Sequence, residues 1–497
     1  MCDSFVALGN STKSGSVLLA KSADTEVNEA EHVVRYPACE YRDGALVRIT
    51  HRTIPQAKKT HAVILGRSFW AWGAELGCNE HGVAVGNEAA FSNQKADADG
   101  TCCLDLLRIA VERGETAREA VEAVGRNVEA FGQGGNCQMM GNFYFDTGLL
   151  IADKREAWVV NCAGKHWAAR RVDDVMAISN RYQITDDWDL SSMEAENGGR
   201  PDFRARFADE KREGEVAALQ RECRALELLQ QRKGEITVHD MAAILRDVGE
   251  DPDNYNIPDD ELPTRLCMHA GPYESRFWHA TGAMITDSSD DGVLVWMTAT
   301  SATDLSCFKP LFFEGSMPDM GPPPEGTYTE GSLWWTHERL HRRAVADYHA
   351  LKPEIRGEFD LLEQDFFRDG PGLKTAPAHV KSEFVEECWR RAEEVTNRWI
   401  ERLEKRNVFI QHEGYRGMWD RFNREGSFPP LNPSDSARNA RALRAIDRLS
   451  ELHPASTGCR TRLSQSMASG KERRPLLEFN RRVPSSGLIK PQGVNFA

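Results

Sequence analysis

The sequence predicts an α+β fold, and three observations support this class. Apolar runs at residues 5–8 and 17–20 are separated by a cluster of turn-forming residues, which indicates an N-terminal β-hairpin. Apolar residues recur at helical spacing over 103–113 and 116–124, and strand-like runs follow over 143–160. Helices next to strands of this kind cover the face of a sheet, so we expect a layered arrangement.

The length of 497 residues exceeds one ordinary hydrophobic core, so we expect a large main domain with an appended part. We place the main domain at residues 2–332, with a polar helical insertion at 198–260. A helical region at 333–428 follows, because apolar residues recur there at intervals of three or four among charged ones. This stripe consists of Val380, Phe384, Cys388, Ala392, Val395, Trp399 and Leu403. Packing on the main domain is its favoured use, and a partner helix is the alternative. Residues 429–497 are rich in Pro, Ser and Arg and predict a weakly ordered basic tail.

Composition and motifs exclude several classes of function. No apolar run reaches the roughly 20 residues of a membrane span, and the start lacks the features of a signal peptide, so we expect a cytoplasmic protein. The formal net charge of -14 argues against general nucleic-acid binding. The 12 cysteines are scattered and are expected to be mostly reduced. Sequence motifs for zinc, nucleotide phosphates and a serine nucleophile are missing, so we expect no metal and no cofactor.

Cys2 is the first candidate for chemistry, since it directly follows the initiator Met1. Removal of that residue would leave a cysteine with a free thiol and a free α-amine. A thiolate is a strong nucleophile, and an amine with a reference pKa of about 8 is able to take the thiol proton during attack. The alternative is a small buried hydrophobe at a strand edge. A rival catalytic hypothesis pairs Cys2 or Cys267 with a histidine, and no spacing selects one. The candidate histidines are His239, His269 and His279.

Two predicted hairpins bring polar residues toward the chain start. Antiparallel pairing in the N-terminal hairpin returns Lys21 and Asp24 to the side of Cys2, where they would favour the thiolate and orient the amine. A second hairpin over 70–88 ends near Asn87, whose amide would donate to an oxyanion. The alternatives are solvated charges at a strand end, and an amide that satisfies a turn carbonyl.

Five segments carry long ordered motifs. They are Cys-Asp-Ser-Phe-Val-Ala-Leu from residue 2, and the segments at 70–89, 132–137, 163–169 and 178–180. Together they resemble the secernin branch of the C69 dipeptidase family. Weaker similarity continues at 236–247, 280–284 and 307–310, so that the resemblance covers residues 2–345.

The resemblance implies an N-terminal-nucleophile hydrolase, which is a four-layer αββα sandwich that forms an acyl-enzyme on its first mature residue. The main domain is then the catalytic domain. Carried over position by position, the implied site residues are Cys2 as nucleophile, Lys21 where related cysteine hydrolases usually have arginine, Asp24 as the carboxylate that orients the amine, Asn87 and Asn180 as oxyanion donors, and Arg276 as the arginine of the site. The family commonly reads Lys-Asn-Ser-Asp where this chain has Lys-Ser-Ala-Asp, so an amide beside Asp24 is lost.

The sequence therefore leads to a cytoplasmic cysteine dipeptidase that acts on a dipeptide or small amide substrate. A close variant is an amidase for N-acyl or lactam substrates. The alternative from another class is a non-catalytic, secernin-like regulator, because the resemblance also implies an association with exocytosis. Retention of Met1 would favour the regulator, since a blocked nitrogen is no longer a free-amine base. The oligomeric state is left open.

Overall fold

The computed structural model describes residues 1–95, 97–195, 198–273, 276–406 and 409–430. From residue 431 onward the predicted basic tail lies outside the described residues. The described strands are β1 (Cys2–Ala7), β2 (Val17–Glu26), β3 (Glu31–Tyr36), β4 (Cys39–Glu40), β5 (Leu46–Arg48), β6 (Thr53–Pro55), β7 (Lys59–Thr60), β8 (Val63–Ser68), β9 (Leu76–Asn79), β10 (Ala84–Ala90), β11 (Asp146–Ala152), β12 (Ala157–Ala163), β13 (His166–Val172), β14 (Val175–Ile178), β15 (Leu190–Ser191), β16 (Trp278–Ser289), β17 (Gly292–Met297) and β18 (Lys309–Leu311).

The described α-helices are α1 (Cys103–Arg113), α2 (Ala117–Phe131), α3 (Phe203–Phe207), α4 (Glu210–Glu215), α5 (Ala218–Gln231), α6 (Val238–Leu245), α7 (Leu333–Ala344), α8 (Tyr348–Asp369), α9 (Ala378–Lys405) and α10 (Glu413–Glu425). Short 3-10 helices lie at Ile257–Asp259, Thr303–Leu305, Val345–Asp347 and Gly370–Leu373. Within these described ranges, every helix is too short or too polar to cross a membrane.

Two antiparallel sheets form the centre of the fold. The first has six strands in the order β14-β1-β2-β16-β17-β18, and the second has eight in the order β15-β13-β12-β11-β10-β9-β8-β3. The strand pairs β4–β7 and β5–β6 form two small ribbons beside them. Strands β1, β11 and β12 are buried along their whole length. A strand buried on both faces lies between two layers, so these strands mark the interior of a stacked structure.

Helices cover the outer face of each sheet. Helices α1 and α2 pack on the eight-stranded sheet, whereas α5 and α6 pack on the six-stranded sheet, and β1 faces β10 across the middle. This arrangement confirms the predicted αββα sandwich. The segment predicted as an insertion at 198–260 is helical, but its helices α5 and α6 form part of an outer layer. The capping box predicted at Thr237 and Asp240 begins α6, because each side chain accepts a hydrogen bond from the backbone of the other residue.

The C-terminal helices form the helical region predicted from the apolar stripe. The α9 residues Cys388, Ala392 and Val395 are buried, and α9 packs against β18, α7 and α8. The indole nitrogen of Trp389 also donates to Pro310 O on β18 at 2.9 Å. The stripe therefore packs on the sheet domain, as the favoured interpretation predicted. The exact domain boundaries at 332 and 428 stay predictions.

The two sheets approach each other closely at Gly86 on β10. A Cβ at this position would lie 2.0 Å from Ser4 Oγ on β1 and 3.1 Å from the Lys21 Cδ on β2. Real Cβ atoms do not tolerate such contacts, so only glycine fits between the facing strands. The close approach brings the starts of β1 and β10 together, and with them the residues of the predicted site.

Replacing Gly86 with alanine is expected to destabilise the fold by about 1–3 kcal/mol, the usual cost of overpacking a core. Urea denaturation measures this change. Gly148→Ala on β11 is the matched control, because its added methyl group would meet only Asn161 Nδ2 at 3.6 Å. Equal losses of stability for the two variants would contradict the tight packing at Gly86.

Candidate active site

Cys2 opens β1 and lines a small cavity between the two sheets. Antiparallel pairing aligns Cys2 with Ala23 and Ser4 with Lys21, as the predicted N-terminal hairpin requires. The cavity has a volume of about 40 Å³. Its polar lining consists of Cys2, Asp24, Thr25, Glu26, Glu29, Glu75, Asn87, Cys103, Cys137 and Gln138. Its apolar lining consists of Met1, Ala89, Phe143, Phe145 and Trp278.

The backbone nitrogen of Cys2 is held by a side-chain hydrogen bond. It donates to Asn180 Oδ1 at 3.1 Å. Met1 still precedes it in the structure, and the Met1 ammonium donates to Asp24 O at 2.6 Å. The atom that would become the α-amine after loss of Met1 therefore already has a defined place.

Lys21 is the cation whose charge acts most strongly on the thiol. Its side chain is fully buried and donates to Ser22 O at 2.9 Å. Burial raises the pKa of Cys2 to about 12, and the charges of Lys21 and the Met1 ammonium only partly oppose this rise. With Met1 in place, the thiol is thus protonated at neutral pH and is a poor nucleophile.

Asp24 lies beside the chain start, as predicted. Its Oδ1 accepts a hydrogen bond from Ser22 Oγ at 2.8 Å, so a hydroxyl supports the carboxylate where the family commonly has an asparagine. Its Oδ2 is buried and has no hydrogen-bond partner among the described residues. Burial raises the pKa of Asp24 to about 6, although the Met1 ammonium and Arg221 favour its charged form.

Asn87 lines the cavity with its amide group. Its Nδ2 donates to Cys103 Sγ at 3.5 Å, and its Oδ1 has no hydrogen-bond partner among the described residues. Sulfur is a weak acceptor, so this donor is easily redirected to a stronger one. The predicted role of Asn87 as an oxyanion donor fits this geometry and stays a prediction.

Asn180 contacts Cys2 through its amide oxygen. The predicted role requires the amide nitrogen. Its Oδ1 accepts from Cys2 N and from Arg221, and its Nδ2 donates to Ala89 O at 2.9 Å. An oxyanion donor would have to face the reacting atoms with nitrogen. In the structure Asn180 accepts from the Cys2 nitrogen with its oxygen, and its role as an oxyanion donor stays a prediction.

Arg276 is not among the residues that line the cavity. Its guanidinium forms an ion pair with Asp260 at 2.7 Å and donates to His269 O at 2.6 Å. The arginine beside Cys2 is instead Arg221 of α5, which binds Asp3 Oδ2 at 2.6 Å and Asn180 Oδ1 at 2.7 Å.

Sequence analysis missed Arg221, although a signal was present. Ala218, Arg221, Ala225 and Leu229 recur at helical spacing and are all buried, so the arginine lies within the apolar stripe of α5. A charged residue in such a stripe needs a buried counter-charge. The acidic Asp3 directly after Cys2 is that partner.

Four glutamates around Lys21 were also missed. Glu29, Glu31, Glu75 and Glu88 are buried, and Glu75 Oε2 lies 4.0 Å from Lys21 Nζ. Burial raises the pKa of Glu29 to about 7, and that of Glu31 and of Glu88 to about 8. The site therefore contains more buried carboxyl groups than buried cations.

The rival hypothesis of a cysteine–histidine pair is met by geometry only at Cys267 and His269 among the described residues, and not at Cys2. His269 Nε2 lies 3.8 Å from Cys267 Sγ and 3.1 Å from Asp304 Oδ2. One nitrogen contacts both groups, whereas a catalytic relay uses a different ring nitrogen for each. Cys267, His269 and Asp304 form one of two groups in the described ranges that could hold a metal ion, and His61, Glu80 and His81 form the other.

Residues 1–210 match the model of Peptidase family C69, the family that the sequence motifs predicted. The chain is similar to the C2A mutant of conjugated bile acid hydrolase from Clostridium perfringens, with 12% identity, coverage of 63% of this chain and 92% of that chain, and a TM-score of 0.39. It is also similar to the Caenorhabditis elegans ortholog of N-acylethanolamine-hydrolyzing acid amidase, with 12% identity. That match covers 57% of this chain and 92% of the amidase chain, and the TM-score is 0.31. The chain is likewise similar to penicillin V acylase from Agrobacterium tumefaciens, with 12% identity. That match covers 63% of this chain and 86% of the acylase chain, and the TM-score is 0.36.

Replacing Glu88 with glutamine is expected to change how stability depends on pH. Burial raises the pKa of Glu88 from 4.5 to about 8, so the folded chain keeps a proton that the unfolded chain releases earlier. This contribution is fully present below pH 4.5 and is lost as the pH rises through about 8. Between these limits, the wild type should lose more stability with rising pH than Glu88→Gln.

Chemical denaturation at about pH 5 and about pH 8.5 measures this difference, since the two values bracket most of the titration. The control is Glu330→Gln, which makes the same change in an exposed turn. If Glu88→Gln followed the same pH dependence as the wild type and this control, the buried carboxyl group would not carry the extra proton.

Proposed function

We propose that the chain is a cysteine amide hydrolase that cleaves dipeptides or short peptides. The match of residues 1–210 to the model of Peptidase family C69 supports this class. The observation that carries the proposal is the place of Cys2. Its thiol lines the cavity, its nitrogen is held by Asn180, and a buried lysine lies beside it. A nucleophile, a proton acceptor and a cation thus meet at the first residue of the mature chain.

The reaction begins once Met1 is removed. The nitrogen of Cys2 is then an α-amine, which takes the thiol proton while the sulfur attacks the amide carbonyl. Asn180 Oδ1 positions this amine from one side. Asp24 stays close to it and stabilises the ammonium that forms. Lys21 favours the developing thiolate, because its charge lowers the pKa of the Cys2 thiol.

Asn87 supports the tetrahedral intermediate. Its Nδ2 exchanges Cys103 Sγ for the oxyanion, which is a far stronger acceptor. The C–N bond of the substrate then breaks, and the ammonium of Cys2 gives its proton to the leaving amine. A thioester remains on Cys2.

Hydrolysis of the thioester follows the same route in reverse. The free amine of Cys2 takes a proton from an entering water, whose oxygen attacks the acyl carbon. The C–S bond breaks, the proton returns to sulfur, and the carboxylic acid leaves. Arg221 holds Asn180 and Asp3 in place and contacts no reacting atom in this scheme, so it is a positioning residue.

Retention of Met1 leads to the second candidate function. In the structure, Met1 is 8% exposed and fills part of the cavity, and the thiol behind it is protonated. A chain in this state has a closed site and would serve as a secernin-like regulator. We place the processed enzyme in the cytoplasm, as the sequence predicts. Hydrolysis of N-acyl amides in preference to free dipeptides would identify the amidase variant.

Mass spectrometry of the N-terminal peptide is expected to show a chain that begins at unmodified Cys2. Cys2 should react with a small alkylating reagent faster than the buried Cys78 and Cys162, and Cys2→Ala should abolish hydrolysis of a dipeptide library. Cys223→Ser, at an exposed cysteine, is the control that keeps activity. A chain that retains Met1, or one with a blocked Cys2 amine, would refute the mechanism.

Replacing Asn87 with alanine is expected to lower kcat about 100- to 1000-fold, which corresponds to about 2.7–4 kcal/mol for one oxyanion donor. Steady-state kinetics on the same dipeptide measure the loss. Asn93→Ala, at an exposed asparagine, is the matched control. An unchanged kcat for Asn87→Ala would contradict the proposed role of Asn87 as an oxyanion donor.

A further inference from the structure

Met1 has the attachments of a bound ligand. Its ammonium donates to Asp24 O at 2.6 Å. Its side chain belongs to an apolar cluster at the mouth of the cavity. Met1 packs there with Phe91, Phe143, Phe145, Met268 and Trp278. One residue thus places a positive charge in a polar niche and an apolar side chain against aromatic rings, directly beside the nucleophile.

The niche around the ammonium is lined with carboxylates, and they differ in what they already bind. Glu26 accepts from Gln138 Nε2 at 2.9 Å and from Met140 N at 2.8 Å, so both of its oxygens are engaged. Glu29 accepts from Trp70 Nε1 at 2.8 Å.

Glu75 is the carboxylate whose charge is stabilised by both Lys21 and the Met1 ammonium, and Asn87 also donates a hydrogen bond to it. It is buried, its distance to Lys21 Nζ is 4.0 Å, and the Met1 ammonium is close enough to stabilise its charge. Loss of Met1 moves the terminal ammonium to the Cys2 nitrogen, which contacts Asn180 Oδ1, and vacates the place that the Met1 ammonium held at Asp24 O beside Glu75. A buried carboxylate in this position favours the arrival of another cation.

We propose that the space vacated by Met1 is the substrate subsite for the residue on the N-terminal side of the scissile bond. Glu75 and the carbonyl of Asp24 bind the free α-ammonium of that residue, and the aromatic cluster binds its side chain. The substrate class is a dipeptide with a free amino terminus and an apolar first side chain, such as methionine, leucine or phenylalanine. This inference rests on the proposed function and narrows it.

The chemistry of the subsite selects against two kinds of substrate. An N-acylated residue has no positive charge, so it would leave Glu75 with only the 4.0 Å contact to Lys21 as a counter-charge. An acidic first side chain would face Glu26 and Glu29 at the same cavity and would lose its hydration among aromatic rings. Both substrates are therefore expected to bind less tightly than an apolar free dipeptide.

Hydrolysis of methionyl-alanine, N-acetyl-methionyl-alanine and aspartyl-alanine tests the selectivity. The processed wild type should prefer the first by about 10-fold or more in kcat/KM, as expected when a hydrogen bond to a charged group is lost. Glu75→Gln should lower kcat/KM for methionyl-alanine by about the same factor and leave N-acetyl-methionyl-alanine nearly unchanged. Glu330→Gln, the same change in an exposed turn, should match the wild type.

Binding to an inactive chain separates this inference from the proposed function. Cys2→Ala with Met1 removed, as checked by its intact mass, is titrated calorimetrically with methionine amide and with N-acetyl-methionine amide. Tighter binding of the free amine, lost in Cys2→Ala/Glu75→Gln, supports the subsite whether or not the wild type hydrolyses dipeptides. Equal binding of the two amides overturns the subsite and leaves the hydrolase proposal standing. No hydrolysis of any amide by the processed wild type overturns the hydrolase proposal instead.

Discussion

The buried ammonium of Lys21 is the constraint on which the rest of the site depends. Lys21 lies on β2 of the six-stranded sheet, whereas its ion-pair partner Glu75, at 4.0 Å, directly precedes β9 of the other sheet. A charge without solvent is costly unless opposite charges surround it. The two sheets therefore have to approach closely at this point, and Gly86 permits the approach. The nucleophile at the start of β1 is held in the same gap.

A second network ties the nucleophile to the helical layer. Arg221 of α5 binds Asp3 and Asn180, and Asn180 in turn accepts from the nitrogen of Cys2. Because Asn180 also donates to Ala89 O on β10, helix α5 and both sheets contribute to the position of Cys2. The fold and the site form together, because displacement of any of these layers would leave a buried charge without its partner.

The parts of the fold and site that the sequence predicted are those set by local chemistry. Turn-forming residues define both hairpins, and antiparallel pairing then carries Lys21 and Asp24 to the side of Cys2. The parts that could not be predicted depend on contacts between distant segments. Arg276 and Arg221 are equally plausible arginines in the sequence, and only the packing of α5 on β1 distinguishes them. The direction of the Asn180 amide is likewise set by Arg221 and Ala89, which no local pattern reveals.

The burial of Met1 has a consequence for the order of events in the life of the chain. Its ammonium is bonded inside the molecule, and β1 is held between β14 and β2, so an aminopeptidase cannot reach this end once the sheet has closed. In the proposed mechanism, removal of Met1 would therefore have to precede folding, while the start of the nascent chain is still extended and accessible. A chain that folds first would be trapped as a zymogen with a propeptide of one residue. In the proposed mechanism, processing and folding would thus compete, and the share of molecules with a free Cys2 amine would reflect which of the two is faster.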